Sequence, residues 1–255
     1  MDFAYWVRRF EDAAAERDSA PEPPWGTGGP LPDALIASLQ RFQAGEDGDG
    51  VSLIAKSARA GDADYLAAVR MFVAEEQRHA RLLERVLAGA GAPTLTGHWT
   101  DTVFVVVRRA FGLRLELMTL MVAEVVALRY YRALRDGAPD PLLSEVAGRI
   151  LADEQRHVPF HVARLRQGFG RLPRLVRALA AGGWWLLMTG ATLVVAVDHA
   201  GALRRLRLSP VRFAAEVLAL FRPIVSAVLG DGREDARIPV SAVADPGLEP
   251  GDPSS

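Results

Sequence analysis

The chain has no cysteine and a single lysine, Lys56, among 255 residues. Without cysteine there is no disulfide, zinc ribbon, thiolate nucleophile or cysteine-ligated iron–sulfur cluster, so any metal must be held by carboxylate, imidazole or carbonyl groups. An excess of one charge is also lacking. Lys+Arg 30 against Asp+Glu 31 leaves a net charge of -1, which argues against the basic footprint of a nucleic-acid binder. The first nine residues show no basic stretch leading into an apolar one, and the expected location is cytoplasmic. Alternating polar and apolar runs are nearly absent too. From Asp33 onward apolar side chains recur at helical spacing, so the expected fold class is all-α.

Four segments follow from composition. Residues 1–32 read as a short helix (3–17) and a Pro/Gly linker (19–32); residues 33–170 carry four long helical patterns; 171–230 hold additional apolar helices; 231–255 read as a disordered tail. The long helices are expected at about 33–59, 62–87, 100–135 and from the 136–141 turn to about 167, a series that suggests a bundle. The later helices are expected near 175–203 and 210–229. Residues 178–197 carry no charge and are long enough for a membrane span, yet Gly182, Gly183, Gly190, Thr189 and Thr192 lower their hydropathy. The reading adopted is a helix buried on the bundle or in a homodimer interface, with membrane association as the less favoured alternative.

Two hexapeptides nearly coincide: Ala74-Glu75-Glu76-Gln77-Arg78-His79 and Ala152-Asp153-Glu154-Gln155-Arg156-His157. Each contains Glu-x-x-His, whose side chains share one helix face and can converge on one ion. The copies are offset by 78 residues, and the same step from Glu46 reaches Glu124. Heights agree as well. Glu46 and Glu76 each lie 15 residues from Gly61, while Glu124 and Glu154 lie 14 and 16 from Ala138, a mismatch of a few ångströms at about 1.5 Å per residue. Glu124 also stands in an otherwise uncharged run, Leu117 to Leu128, where an unpaired buried carboxylate would be costly and a cation would relieve it.

A single Glu-x-x-His is usually a solvated face; the duplicated set with two further glutamates is what points to metal. Glu75 and Asp153 are expected to point elsewhere or to support the ligands from behind, and Gln77, Arg78, Gln155 and Arg156 to be solvated or to make cross-helix contacts. His161 divides evenly between a supporting group and a core histidine. For Tyr131, ordinary core packing is favoured over a redox role beside the metals. His98 and His199 are read as structural, and Gly26-Thr27-Gly28-Gly29, with no strand before it, is not a phosphate loop.

One Glu from each of two helices and a Glu-x-x-His from each of the other two resemble the ferritin-like di-iron carboxylate superfamily over roughly residues 33–165. The chain is more similar to its oxygen-activating members than to storage ferritins. The departure lies after Glu46, where Asp47-Gly48-Asp49-Gly50 are poor helix formers. The resemblance implies a ferritin-like four-helix bundle with additional C-terminal helices. It also implies two iron ions, with manganese as the alternative, bridged by Glu76 and Glu154 and held terminally by Glu46, Glu124, His79 and His157. The implied activity is that of an oxidoreductase using dioxygen to hydroxylate, N-oxygenate or desaturate a small organic substrate. Lacking a cysteine-bearing electron-transfer module, it would draw electrons from a separate donor. Two other roles stand beside this one: ferritin- or rubrerythrin-like iron handling or peroxide detoxification, and an inner-membrane-associated helical protein with a structural metal.

Overall fold

The computed structural model describes residues 2–95, 112–170 and 172–230. Among them there is no strand. The helices are α1 (Ala4–Ser19), α2 (Asp33–Glu46), α3 (Val51–Ala58), α4 (Ala63–Gly89), α5 (Leu113–Gly137), α6 (Pro141–Phe169), α7 (Arg174–Asp198), α8 (Ala200–Arg205) and α9 (Pro210–Leu229). The fold is all-helical, as the absence of period-2 patterning predicts. The expected tail at 231–255, His98 and the 100–111 part of the third long helix lie outside the described residues.

Local chemistry sets the starts of the two motif-bearing helices. The Asp62 carboxylate accepts the Tyr65 amide at 2.9 Å to open α4, and Asp140 accepts the Leu143 amide at 2.8 Å to open α6, with Pro141 in the first turn. Each such cap contributes about 1 kcal/mol. The expected continuous helix over 33–59 is in fact two. Gly50 adopts φ 63°, and a Cβ there would sit 2.5 Å from Cγ1 of Val73, so the chain turns where only glycine fits. The expected 175–203 helix is likewise divided at His199 into α7 and α8.

Helices α5 and α6 form the most extensive pair, α2 lies along α4, and α4 meets α6, so these four enclose one core. Tyr65, Leu83, Tyr130, Tyr131 and Phe160 are completely buried in it. Phe42 stacks on Tyr130 at 3.7 Å, and Ser38 Oγ joins the Tyr130 hydroxyl (2.6 Å) to His199 Nδ1 (2.7 Å), giving His199 a structural place. Helix α1 packs on α4, with Phe3 just before it against Tyr65, while Phe10 meets His157 and Phe160 of α6, and α9 covers α5 and α6. Helix α7 docks by one face: Trp184 donates to the Met118 carbonyl at 2.8 Å, and Met188, Thr192 and Ala196 are buried, while its opposite face is exposed.

Candidate metal centre

Each of the four core helices carries one part of an acidic and histidine cluster. Glu46 is the last residue of α2, a position where the helix's own partial charge disfavours an anion and favours a nearby cation. Glu76 and His79 lie one turn apart on α4, Glu124 lies in the middle of α5, and Glu154 and His157 are one turn apart on α6. The six side chains anticipated from the repeat meet here.

Two ligand sets form. One atom each from Glu46, Glu76, His79 and Glu154 lie within 4.8 Å of one another, and so do atoms of Glu76, Glu124, Glu154 and His157. Glu76 and Glu154 belong to both. Glu76 Oε1 lies 3.6 Å from His79 Nδ1 and 3.2 Å from His157 Nδ1; Glu154 turns Oε1 to His79 (3.5 Å) and Oε2 to His157 (3.7 Å). Glu46 Oε2 stands 3.8 Å from His79 Nδ1, and Glu124 Oε2 stands 3.4 Å from His157 Nδ1. Five of these inward atoms have no hydrogen-bond partner although buried: Glu76 Oε1, His79 Nδ1, Glu124 Oε2, Glu154 Oε2 and His157 Nδ1. Buried polar atoms are rarely left so. Oxygen and imidazole nitrogen donors converging unpaired on one space are a set that could hold a metal ion.

Behind the histidines the strands of support cross. Glu75, beside Glu76 on α4, contacts His157 Nε2 of α6 at 2.9 Å, and Asp153, beside Glu154 on α6, contacts His79 Nε2 of α4 at 3.0 Å. Each imidazole thus presents Nδ1 inward while its other nitrogen is oriented by an acid from the facing helix. Two arginines tie these acids together. Arg17 of α1 reaches Glu75 (2.5 Å) and Asp153 (3.0 Å), and Arg156 bonds both as well. Tyr131 donates its hydroxyl to Glu46 Oε1 at 2.6 Å, so it serves the site as well as the core. His161 is buried against Phe72 and Phe160 with neither ring nitrogen bonded, and its Nε2 is 4.0 Å from Glu124 Oε1.

Electrostatics divide the carboxylates into two kinds. Burial and the neighbouring Glu76 charge push Glu46 up to about 8, and burial with the charges of Glu154 and Glu76 holds Glu124 well above the carboxylate range. Burial works in the same direction on Glu76 and Glu154, yet the facing imidazoles outweigh it and keep both below 4.5. Burial would lower His79 and His157, but the surrounding acids, Asp153 first for His79 and Glu124 first for His157, hold both well above 6.5. His161 is pushed down to about 3 by burial and by His157. The direction of these shifts favours protons on Glu46, Glu124, His79 and His157, which would occupy the electrostatic place of cations.

Arg17 had no signal in the sequence, because it lies 59 residues before Glu76 in a segment set apart from the bundle. The acidic residue before the glutamate in both motif copies was the available clue to Glu75 and Asp153. No family model, curated protein or solved structure matches the chain.

Proposed function

We propose that the protein is a di-metal carboxylate oxidoreductase, built on a ferritin-like arrangement of α2, α4, α5 and α6. The observation carrying this reading is that two four-ligand sets overlap in Glu76 and Glu154. A carboxylate shared between two sets is the arrangement that suits a pair of adjacent ions. The charge balance supports two divalent ions. Four carboxylates, Glu46, Glu76, Glu124 and Glu154, match four positive charges, while Glu75 and Asp153 are matched by Arg17 and Arg156. Oxygen and imidazole ligands suit iron, with manganese as the alternative.

Reduced iron, when bound, would supply the electrons and the open coordination positions for dioxygen. The chain's own contribution is positional. Glu75 and Asp153 keep each imidazole aimed inward, Tyr131 steadies Glu46, and Phe72 and Phe160 exclude water around His157 and His161. Glu76, with 18% of its side chain exposed, marks where the site lies nearest to solvent. The substrate is a small organic molecule to be hydroxylated, N-oxygenated or desaturated, and electrons come from a separate donor, since the chain has no cysteine. Anaerobic loading with Fe(II), then dioxygen and a product screen, tests this. Two irons per chain and a single oxidised organic product are expected; accumulation of an iron mineral with no product would overturn it.

A further inference from the structure

Among the described residues, the outward face of α7 has no partner. Leu175, Leu179, Leu186, Leu193 and Val197 are 72, 69, 77, 55 and 76% exposed. Between them stand Gly182, Gly183 and Gly190, where an added Cβ would meet no described atom within 4 Å. At about 100° per residue, positions 179, 183, 186, 190, 193 and 197 fall on one stripe opposite Trp184, Met188 and Thr192. Their steps of 4, 3, 4, 3 and 4 residues follow the 3.5-residue repeat of a two-helix seam. A glycine inside an exposed helix costs about 1 kcal/mol relative to alanine, and nothing around these three offsets that cost.

The geometry points to a second copy of this chain as the occupant, with the two α7 helices packed antiparallel about a two-fold axis at the height of Met188. In that register Leu186 faces the partner's Gly190, Gly183 faces the partner's Leu193 and Leu179 faces the partner's Val197. Gly183 and Gly190 then each receive a leucine side chain and let the backbones approach, and the surface is complementary to itself, as an isologous dimer requires. Charge selects the antiparallel sense. The start of α7 carries Arg174 and Arg177, the latter also bonded to the Gly230 carbonyl, and its end carries Asp198, also paired with Arg41 at 3.3 Å, so reversal sets opposite charges and opposite helix dipoles side by side. A bilayer would favour the same apolar exposure, and α7 is long and apolar enough to cross one. Lipid contact alone, without a second helix, gives no role to a 3.5-residue register of glycine and leucine.

The cysteine-free chain permits a direct test on the full-length protein. Leu179→Cys and Val197→Cys variants, mixed and oxidised, should cross-link to each other, and neither should cross-link to itself. Two copies of residue 179 would lie 18 residues apart in height, about 27 Å. Sedimentation should show a dimer with Kd of about 1 µM or tighter. Gly190→Leu should weaken it at least tenfold, while helicity, and Tm measured at a concentration where both proteins are monomeric, do not fall, since the monomer has room at that position. Self-cross-linking of Leu179→Cys, or a wild type that stays monomeric, would overturn the proposal. So would co-flotation with phosphatidylglycerol-containing vesicles that Gly190→Leu leaves unchanged or strengthens.

Discussion

Among the inward-facing carboxylates, Glu76 and Glu154 differ in kind from Glu46 and Glu124. The first pair is shared by both ligand sets and held ionised by two imidazoles; the second pair is peripheral and protonated without metal. Glu76→Ala or Glu154→Ala should therefore abolish binding of both ions, whereas His79→Ala or His157→Ala should weaken chiefly one. Metal analysis after equilibrium dialysis distinguishes these, and two ions retained in both glutamate variants would place the site elsewhere. Glu124→Gln separates affinity from folding. The amide copies the neutral acid already present in the metal-free protein, so its stability should change by less than about 1 kcal/mol. Affinity for one ion should fall at least tenfold, because an amide oxygen is a poorer ligand than a carboxylate.

At the scale of elements, the crossing of support between α4 and α6 makes their packing and the ligand geometry one property. Helix α1 joins this arrangement through Arg17, which spans Glu75 and Asp153. Arg17→Ala would leave two adjacent buried acids with Arg156 as their main cation. The expected loss is about 2 kcal/mol, below the range for a fully buried pair because Arg17 is 19% exposed. Chemical denaturation measures this, and Arg17→Lys should recover part of the loss. An unchanged midpoint in Arg17→Ala would show that Arg156, Arg78 and the two histidines suffice to neutralise the two acids. The break after Glu46 has a related consequence. By ending α2 there, the Gly50 turn places a carboxylate at a helix C-terminus, where a proton or a cation is needed beside it.

For the whole molecule, the space that could hold metal ions also holds protons, and the stability of the metal-free protein follows from them. Glu46, raised from 4.5 to about 8, contributes stability that is complete below pH 4.5 and is lost as the pH rises through 8. His79 and His157, raised above 6.5, likewise contribute below that pH and lose the contribution at alkaline pH. Glu76 and Glu154, held below 4.5, act oppositely and lose their contribution on acidification, and His161, lowered to about 3, disfavours folding as it charges below 6.5. Metal-free Tm should therefore peak near pH 5 to 6 and fall toward pH 9. Added Mn(II) displaces the protons, so its stabilisation should grow across that alkaline range. Calorimetry at several pH values, with and without Mn(II), checks both slopes; a metal-free Tm that rises from pH 6 to 9 would contradict the protonation pattern.

The sequence by itself determined the helical class and the six acidic and histidine side chains that converge in the groups able to hold a metal ion. These depend on period, repeat offset and distance from a turn, all of which are fixed along one dimension. The tertiary structure alone decided which acid supports which histidine, because Glu75 and His157 are 82 residues apart and meet only across two packed helices. Arg17 and Tyr131 entered the site for the same reason, reaching it from neighbours that spacing does not rank. The end of α2 at Glu46 was foreshadowed by Asp47-Gly48-Asp49-Gly50, but the turn itself depends on Val73 standing where a Cβ at position 50 would be. For α7, hydropathy could not tell a core helix from a membrane span. Packing decided that one face is buried through Trp184 and that the other is left open, since burial is a property of neighbours in space and not of the segment itself.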